Sequence, residues 1–171
     1  EMSQDSLQEL IDIFASSTSQ DSNISNPANE AISEKICNDG GSLIIDSSKI
    51  LMNESRDDEK IKKAQTVASS ILSQMLNISN VNDLEFNSLV GLVQLTETVE
   101  AVKNSLKANI FSDDTTIRDN CCKIYSFLIA TLTTNWQDGI DYIINSFSNT
   151  DLLPNGFINL FLILRNIVNQ I

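Results

Sequence analysis

Two apolar stripes separated by three polar residues constrain the fold of this chain more than any other feature of its sequence. From Asp113 onward, apolar residues recur at helical spacing, at Ile117, Cys121, Ile124, Leu128 and Leu132. A second stripe follows polar residues 133–135 and consists of Trp136, Ile140, Ile143, Ile144 and Phe147. Because the link is so short, the stretch Asp113–Phe147 predicts an antiparallel helix pair. One pair cannot cover its own apolar faces, so we expect similar pairs stacked on each side.

Helical patterns also occur along the rest of the chain. Helices are predicted at Ser3–Phe14, from Asn26-Pro27 to Asp39, and at Ser42–Met52, Asp57–Leu76, Val81–Gln94, Thr96–Phe111 and Pro154–Ile171. Pro27 and Pro154 are assigned to first helical positions, Gly40-Gly41 is predicted to end a helix, and residues 15–23 are predicted to form a loop. Apolar residues seldom alternate, which disfavours strands. The fold class predicted is all-α.

The predicted helices form about four antiparallel pairs, with approximate units at residues 3–38, 42–76, 81–132 and 134–171. Their period of roughly 40 residues is the length of HEAT or armadillo repeats, and it predicts an α-solenoid of HEAT-like pairs. The chain ends inside an apolar helix at Ile171, so we expect a single segment of a longer solenoid. A compact irregular helical bundle would satisfy the same stripes and remains an alternative.

The charge of the chain is strongly unbalanced. Its 23 Asp and Glu residues against 11 Lys and Arg give a net charge of −12. Such a surface repels phosphate backbones and anionic lipid headgroups, which argues against nucleic acid and membranes as partners and favours a basic one. No signal peptide is evident, and no apolar run approaches the roughly 18 residues that a membrane span requires. We expect an intracellular, soluble protein.

No motif for catalysis, a cofactor or a metal is present. The chain contains no histidine, and its three cysteines lack a CxxC spacing. Cys121 is predicted to be a small core residue, whereas Cys122 is predicted to point elsewhere on the helix. Trp136 is expected in the core, and Lys60, Lys62 and Lys63 in a solvated helix turn of mixed charge. We therefore expect a protein that is not an enzyme and binds no cofactor.

Five segments, taken in order, resemble the N-terminal end of the karyopherin-β (importin-β) family. They are SLQELIDIF at residues 6–14, ASSILSQML at 68–76, VEAVKNSLKANIF at 99–111, CKIYSFLIATLTTNWQDGIDYII at 122–144 and FLILRNIVNQI at 161–171. The last three are similar to the helix that opens the third unit of that family, its helix–link–tryptophan element, and the helix that closes its fourth unit. The resemblance covers nearly the whole chain and implies HEAT repeats.

The resemblance implies a nuclear transport receptor of the cytoplasm and nucleus, acting at the nuclear pore and envelope. In that family the second (B) helices of the N-terminal repeats bind the GTP form of the small GTPase Ran. Nucleoporins, and cargo or adaptors with basic signals, would bind mainly to later repeats that are absent here. The partner-binding residues predicted on B helices are Asn29 and Ser33 in the first pair, Ser69, Ser73 and Gln74 in the second, and Lys123 in the third.

Two other functions remain open at the level of sequence. One is a HEAT or armadillo adaptor that binds peptides or another scaffold and has no GTPase partner. The other is a helical bundle that encloses a ligand.

Overall fold

The computed structural model describes residues 4–55, 57–76, 96–132, 136–148 and 154–168. These residues form helices and connecting turns and contain no strand, which confirms the all-α class for the part of the chain described. The helices are α1 (Gln4–Ser17), α2 (Ser22–Leu51), α3 (Glu59–Leu76), α4 (Thr96–Asn109), α5 (Thr115–Leu132), α6 (Gln137–Ser146) and α7 (Pro154–Val168). The predicted helix Val81–Gln94 and the predicted link 133–135 lie outside the described residues.

The connection between α1 and α2 is shorter than predicted. Residues 15–17 continue α1, and α2 begins at Ser22 rather than at Pro27. The carboxylate of Asp21 accepts a hydrogen bond from the Asn23 amide (2.9 Å) and caps α2. With this cap, one helical turn forms ahead of Pro27, which therefore lies inside the helix. The placement of Pro27 at the first helical position was wrong because the cap six residues earlier was overlooked.

A kink at Asp39 (φ −152°, ψ 54°) divides α2 into two parts without ending it. The predicted termination at Gly40-Gly41 is corrected to this kink. A Cβ at position 40 would lie 2.9 Å from the terminal methyl of Met75 on α3. Gly40 therefore allows close packing of α2 on α3, and the second part of α2 covers the predicted helix Ser42–Met52 almost completely.

The principal packing contacts among the described helices all join helices that are consecutive or next but one. The consecutive pairs are α1 with α2, α2 with α3, and α4 with α5. The next-but-one pairs are α1 with α3, α2 with α4, α3 with α5, and α5 with α7. Side-chain hydrogen bonds mark several of these interfaces, including one from Asn109 Nδ2 on α4 to the Leu51 carbonyl at the end of α2 (3.1 Å). The core is thus continuous from α1 to α7.

Helix α5 lies at the centre of the C-terminal half and is buried on a broad face. The predicted stripe of Ile117, Cys121, Ile124 and Leu128 is buried as expected. Cys122 is also buried, which corrects the prediction that it points away from the core. Helices α3, α4 and α7 all pack on α5, so more than one of its stripes is buried. The Cys122 thiol donates a hydrogen bond to the Ile110 carbonyl (3.7 Å).

Trp136 anchors α6 in the core, as predicted, and is fully buried. Its indole lies against the backbone of Gly139, where an added Cβ would stand 2.6 Å from two ring carbons. The phenol of Tyr125 packs on the indole at 4.6 Å between ring centroids and donates a hydrogen bond to the Gly139 carbonyl (2.8 Å). The ammonium group of Lys103 on α4 lies 5.5 Å from the centre of the indole.

The predicted apolar stripes of α6 and α7 are only partly buried. On α7, Leu160 and Ile163 face the core, whereas Phe161 and Val168 are 62% and 71% exposed. Ile144 on α6 is likewise exposed. Helix α7 is apolar on most of its circumference, so the sequence pattern could not show which side would pack against α5.

Candidate protein-binding surface

Three polar side chains join α3 to α5 where the two helices pack. Asn120 Nδ2 on α5 donates to the hydroxyl oxygens of Ser69 (3.1 Å) and Ser70 (3.3 Å) on α3. Both hydroxyls in turn donate to the Thr66 carbonyl, at 2.8 and 3.1 Å. Ser69 is fully buried, so its predicted place on an exposed face was wrong. Its role is to hold α3 and α5 together.

The neighbouring residues on the same two helices reach the surface. Ser70 and Gln74 on α3 are exposed, and Ser73 is half-buried. On α5, Asn120 is half-buried and Lys123, one helical turn later, is exposed. We call the group Ser70, Ser73, Gln74, Asn120 and Lys123 the α3–α5 surface. It contains three of the predicted partner-binding residues, namely Ser73 and Gln74 on α3 and Lys123 on α5.

Asn29 and Ser33 form a separate feature on the first part of α2. Both are exposed, and the Ser33 hydroxyl donates to the Asn29 carbonyl (2.9 Å). With Asn26, Glu30 and Glu34 they line an open depression on this helix. Among the described hydrogen bonds, none joins these two residues to the α3–α5 surface. The two carboxylates give the depression a negative character that suits a basic ligand.

The lysines at the start of α3 are exposed and lie among acids, as predicted. Lys60 pairs with Asp12 of α1, and this hydrogen-bonded contact holds the pKa of the Asp12 carboxyl below its usual range. The pair lies at a surface depression that Glu59 and Lys63 also line. It tethers the start of α3 to α1.

A buried carboxylate near the kink of α2 escaped the sequence analysis. Asp46 is 4% exposed and has Lys49 as a partner at 3.5 Å, at the edge of hydrogen-bond distance. Burial raises the pKa of this carboxyl, against the opposing effect of Lys49. The carboxylate lies at a small cleft between α1 and α2 that Lys35, Asp39 and Ser42 also line. A signal was available, since Asp46 follows Leu43 by three residues on the apolar side of the helix.

Asn120 was likewise missed, although its side chain links α5 to α3 through two hydrogen bonds. It immediately precedes Cys121 of the buried stripe, and a residue in that position borders the helix–helix contact. The serines at 69 and 70 supply the complementary acceptors. An Asn at the edge of one stripe and paired serines at the edge of another are therefore a usable sequence signal.

The described residues show little reactive chemistry. Burial raises the pKa of the Cys122 thiol to about 12, so this sulfur remains protonated at neutral pH. In the ranges that the structure describes, no three Cys, Asp or Glu side chains converge as metal ligands would. The helices in those ranges are too short or too polar to cross a bilayer.

Comparisons with protein-family models, with curated proteins and with solved structures give no match for this chain.

Proposed function

We propose that this chain is a segment of an α-solenoid of about four HEAT-like helix pairs that binds other proteins. The observation that carries the proposal is that, among the described helices, every principal contact lies within one of the units given below or joins two neighbouring units. In a solenoid each repeat contacts only its neighbours, whereas a compact bundle also packs helices that are distant in the chain. The corresponding units are α1 with the first part of α2, the second part of α2 with α3, α4 with α5, and a fourth that comprises α6 and α7, of which α7 makes the principal contact, with α5.

In this arrangement α3, α5 and α7 are the second helices of successive units, and each packs on the next. A row of such helices presents a continuous surface, and repeat proteins bind partners on extended surfaces of this kind. The α3–α5 surface lies on two helices of that row. Its amide, hydroxyl and ammonium groups suit a folded protein partner that supplies both donors and acceptors.

The partner we propose is the GTP form of Ran, in nucleocytoplasmic protein transport. Support comes from the ordered resemblance of five segments to the karyopherin-β family and from the exposure of Gln74 and Lys123, beside the half-buried Ser73, on the second helices. Ran binding would act by a population shift: if Ran binds one curvature of the solenoid more tightly, it raises the population of that curvature and lowers the population of the curvature that binds cargo. Cargo, adaptors and nucleoporins would bind mainly to further repeats.

Binding to purified Ran, loaded either with GDP or with a non-hydrolysable GTP analogue, tests this proposal. Calorimetry with the 171-residue chain should show binding to the GTP form that is at least about tenfold tighter, equivalent to about 1.4 kcal/mol. Lys123→Glu reverses a charge on the α3–α5 surface and should weaken that binding at least about tenfold, since breaking a charged interface contact costs about 2 kcal/mol or more.

The control is Asn104→Glu, which adds a negative charge at an exposed position on α4, a first helix that lies outside the row of α3, α5 and α7. It should leave Ran binding within about twofold, a change of less than about 0.5 kcal/mol. Equal binding to both nucleotide states, or no binding to either, would contradict the Ran proposal. Such a result would not contradict the proposed solenoid, because the solenoid is inferred from the packing of the helices and not from Ran binding.

A second candidate, an adaptor without a GTPase partner, is favoured by the acidic depression on α2. Glu30 and Glu34 flank Asn29 and Ser33 there, and a Lys- or Arg-rich peptide would find both charge and hydrogen-bond partners. Binding of such a peptide that Glu30→Gln and Glu34→Gln weaken, together with no preference for either form of Ran, would identify this function instead.

A further inference from the structure

The kink in α2 joins two stretches of regular helix at a single residue. Within Ser22–Leu51, Asp39 alone departs from helical dihedral angles, so the first part of α2 comprises residues 22–38 and the second part residues 40–51. Gly40 and Gly41 follow the kink directly. Glycine changes its backbone conformation at little steric cost, and a few such residues at a helix break are typical of hinges.

A row of polar and charged side chains crosses the kink on one side of α2. Lys35, Asp39, Ser42 and Asp46 follow one another at intervals of three or four residues and line the same small cleft. Lys49 continues the row three residues beyond Asp46. The cleft has a volume of about 50 Å³, which is large enough to admit water. The row therefore connects the two parts of the helix through one shared space.

The charge of Asp46 is poorly compensated in this space. Its partner Lys49 lies 3.5 Å away and has a side chain that is 48% exposed. Among the described residues that line the cleft, α1 contributes the apolar Leu10, and α3 and α4 contribute none. Loss of hydration is the largest effect on the Asp46 carboxyl and raises its pKa, an effect that Lys49 and Lys35 oppose and Asp39 reinforces. The charged groups that act on Asp46 thus all belong to α2.

Burial has opposite consequences for the two forms of this carboxyl. A protonated carboxyl is buried at modest cost, whereas a carboxylate favours any arrangement in which water reaches it. In the structure described, Asp46 is 4% exposed and the cleft is closed. A pivot at Asp39 that opened the cleft would hydrate Asp46. The closed arrangement consequently binds a proton at Asp46 more tightly than the open one, so protonation favours closure and ionisation favours opening.

We propose that α2 is a hinge in which the charge of Asp46 controls how far the two parts of the helix pivot about Asp39. The ionised carboxylate favours an open cleft between α1 and α2, and the protonated carboxyl favours the closed cleft. In the proposed solenoid the pivot lies between the first and second units and changes their relative orientation. The hinge does not depend on Ran, since the cleft shares no residue with the α3–α5 surface.

Spin labels at the two ends of α2 measure the pivot. Asn23→Cys and Met52→Cys place labels at exposed positions that would lie about 43 Å apart along a straight helix. Cys37→Ser removes the exposed native thiol, whereas Cys121 and Cys122 are buried. Pulsed electron resonance then gives the distribution of distances between the labels as the pH falls from 7 toward 3.8, the unperturbed value of the carboxyl. The ratio of closed to open forms should rise at least about threefold, equivalent to a difference of about half a unit in the pKa of Asp46 between them.

Two variants connect this response to the cleft. Asp46→Asn should hold the closed distribution at every pH, because the amide cannot ionise. Asp39→Asn should retain the response but move its midpoint to lower pH, because the like charge that opposes ionisation of Asp46 is removed. Asparagine can still accept the hydrogen bond that Asp39 accepts from the Ser42 amide, so the kink itself is preserved. A purely structural role for these residues would not move a midpoint.

Asp12→Asn is the matched control. It removes a carboxylate of α1 that pairs with Lys60 of α3 and does not line the cleft, so the response should remain that of the wild type. Circular dichroism verifies that each variant is folded.

NMR of the unsubstituted chain provides a readout that needs no variant. Gly40 and Gly41 are two of only five glycines, so their amide resonances are readily assigned. Both should show a titration step at the midpoint of the distance change.

Three outcomes would overturn the hinge. One is a distance distribution that does not change with pH, and another is a change that persists in Asp46→Asn. The third is an unmoved midpoint in Asp39→Asn, which would show that the two carboxylates are not coupled across the kink. None of these measurements involves Ran, so they are distinct from a failure of the proposed function.

Discussion

At the scale of single residues, two carboxylates respond to their surroundings in opposite ways. Asp12 is exposed, and its hydrogen bond with Lys60 lowers the pKa of its carboxyl. Asp46 is buried, and the loss of hydration raises the pKa of its carboxyl despite Lys49. Folding therefore favours the charged form of Asp12 and the protonated form of Asp46, so the two should contribute to stability with opposite dependence on pH.

We predict that Asp46→Asn stabilises the protein at pH 7. The folded state retains a proton on Asp46 more strongly than the unfolded state, so stability is lost as the pH rises from about 3.8, the unperturbed value, through the raised pKa. The gain from Asp46→Asn should shrink as the pH falls toward 3.8. Urea unfolding at several pH values measures it.

Asp12→Asn is the matched control with the opposite sign. Asp12 contributes stability above its unperturbed value of 3.8 and loses that contribution as the pH falls through its lowered pKa. The substitution should therefore destabilise slightly at pH 7 and have no effect at low pH, with a small magnitude because the pair is exposed. If both substitutions changed the free energy of unfolding at pH 7 in the same direction, this explanation would be wrong.

At the scale of helices, the sequence predicts best where one face alone is buried. The stripes predicted for α3 and α4 are buried wherever the structure describes their side chains, and the stripe of α1 is buried except for the partly buried Leu7, because polar residues occupy the remaining circumference. Helix α7 has apolar residues on most sides, and its partner α5 decides which of them pack. Periodicity contains no information about that choice.

The candidate surface was predicted in part for a related reason. Gln74 and Lys123 lie outside their helical stripes and are exposed, as expected. Ser69 follows Ala68 of the buried stripe, and adjacent residues on a helix are about 100° apart. Whether Ser69 is buried or exposed therefore depends on how much of the circumference of α3 its neighbouring helices cover. Packing of α1, α2 and α5 around α3 widens the buried face to include Ser69. Neighbours that come from distant parts of the chain are not visible in a local pattern.

We predict that helix α6 cannot tolerate a side chain at Gly139. Gly139→Ala places a methyl group 2.6 Å from Trp136 ring carbons, and the fully buried indole cannot move without disturbing Tyr125. Overpacking of this kind costs about 1–3 kcal/mol, which chemical denaturation would measure.

Gly40→Ala is the matched control on α2. Its methyl group would meet only the terminal methyl of Met75 at 2.9 Å, the end of a flexible side chain. Replacement of a helical glycine by alanine also gains about 0.5–1 kcal/mol of backbone entropy. The variant should therefore remain within about 1 kcal/mol of the wild type. An equal loss at both glycines would show that the rigidity of Trp136 is not the cause.

At the scale of the whole molecule, the packing pattern determines how far a local defect is felt. The principal contacts of α1 are with α2 and α3, and that of α7 is with α5. The two ends of the described chain are therefore coupled only through the helices that lie between them. In a stack of repeats, the free energy of unfolding is approximately the sum of the stabilities of the repeats and of the interfaces between neighbours, so one region can unfold without the others. A compact bundle instead unfolds as one unit. Hydrogen exchange resolves the difference because it reports opening helix by helix.

We predict that core truncations at the two ends act locally. Ile163→Ala removes a fully buried side chain between α7 and α5, and Ile11→Ala removes one that is 3% exposed on α1. Each should cost about 2–5 kcal/mol in its own region. Native-state exchange should then show faster exchange in α7 and α5 for the first variant, with α1 and the first part of α2 unchanged, and the reverse for the second. Uniform acceleration across all helices in both variants would contradict the stack and favour a compact bundle.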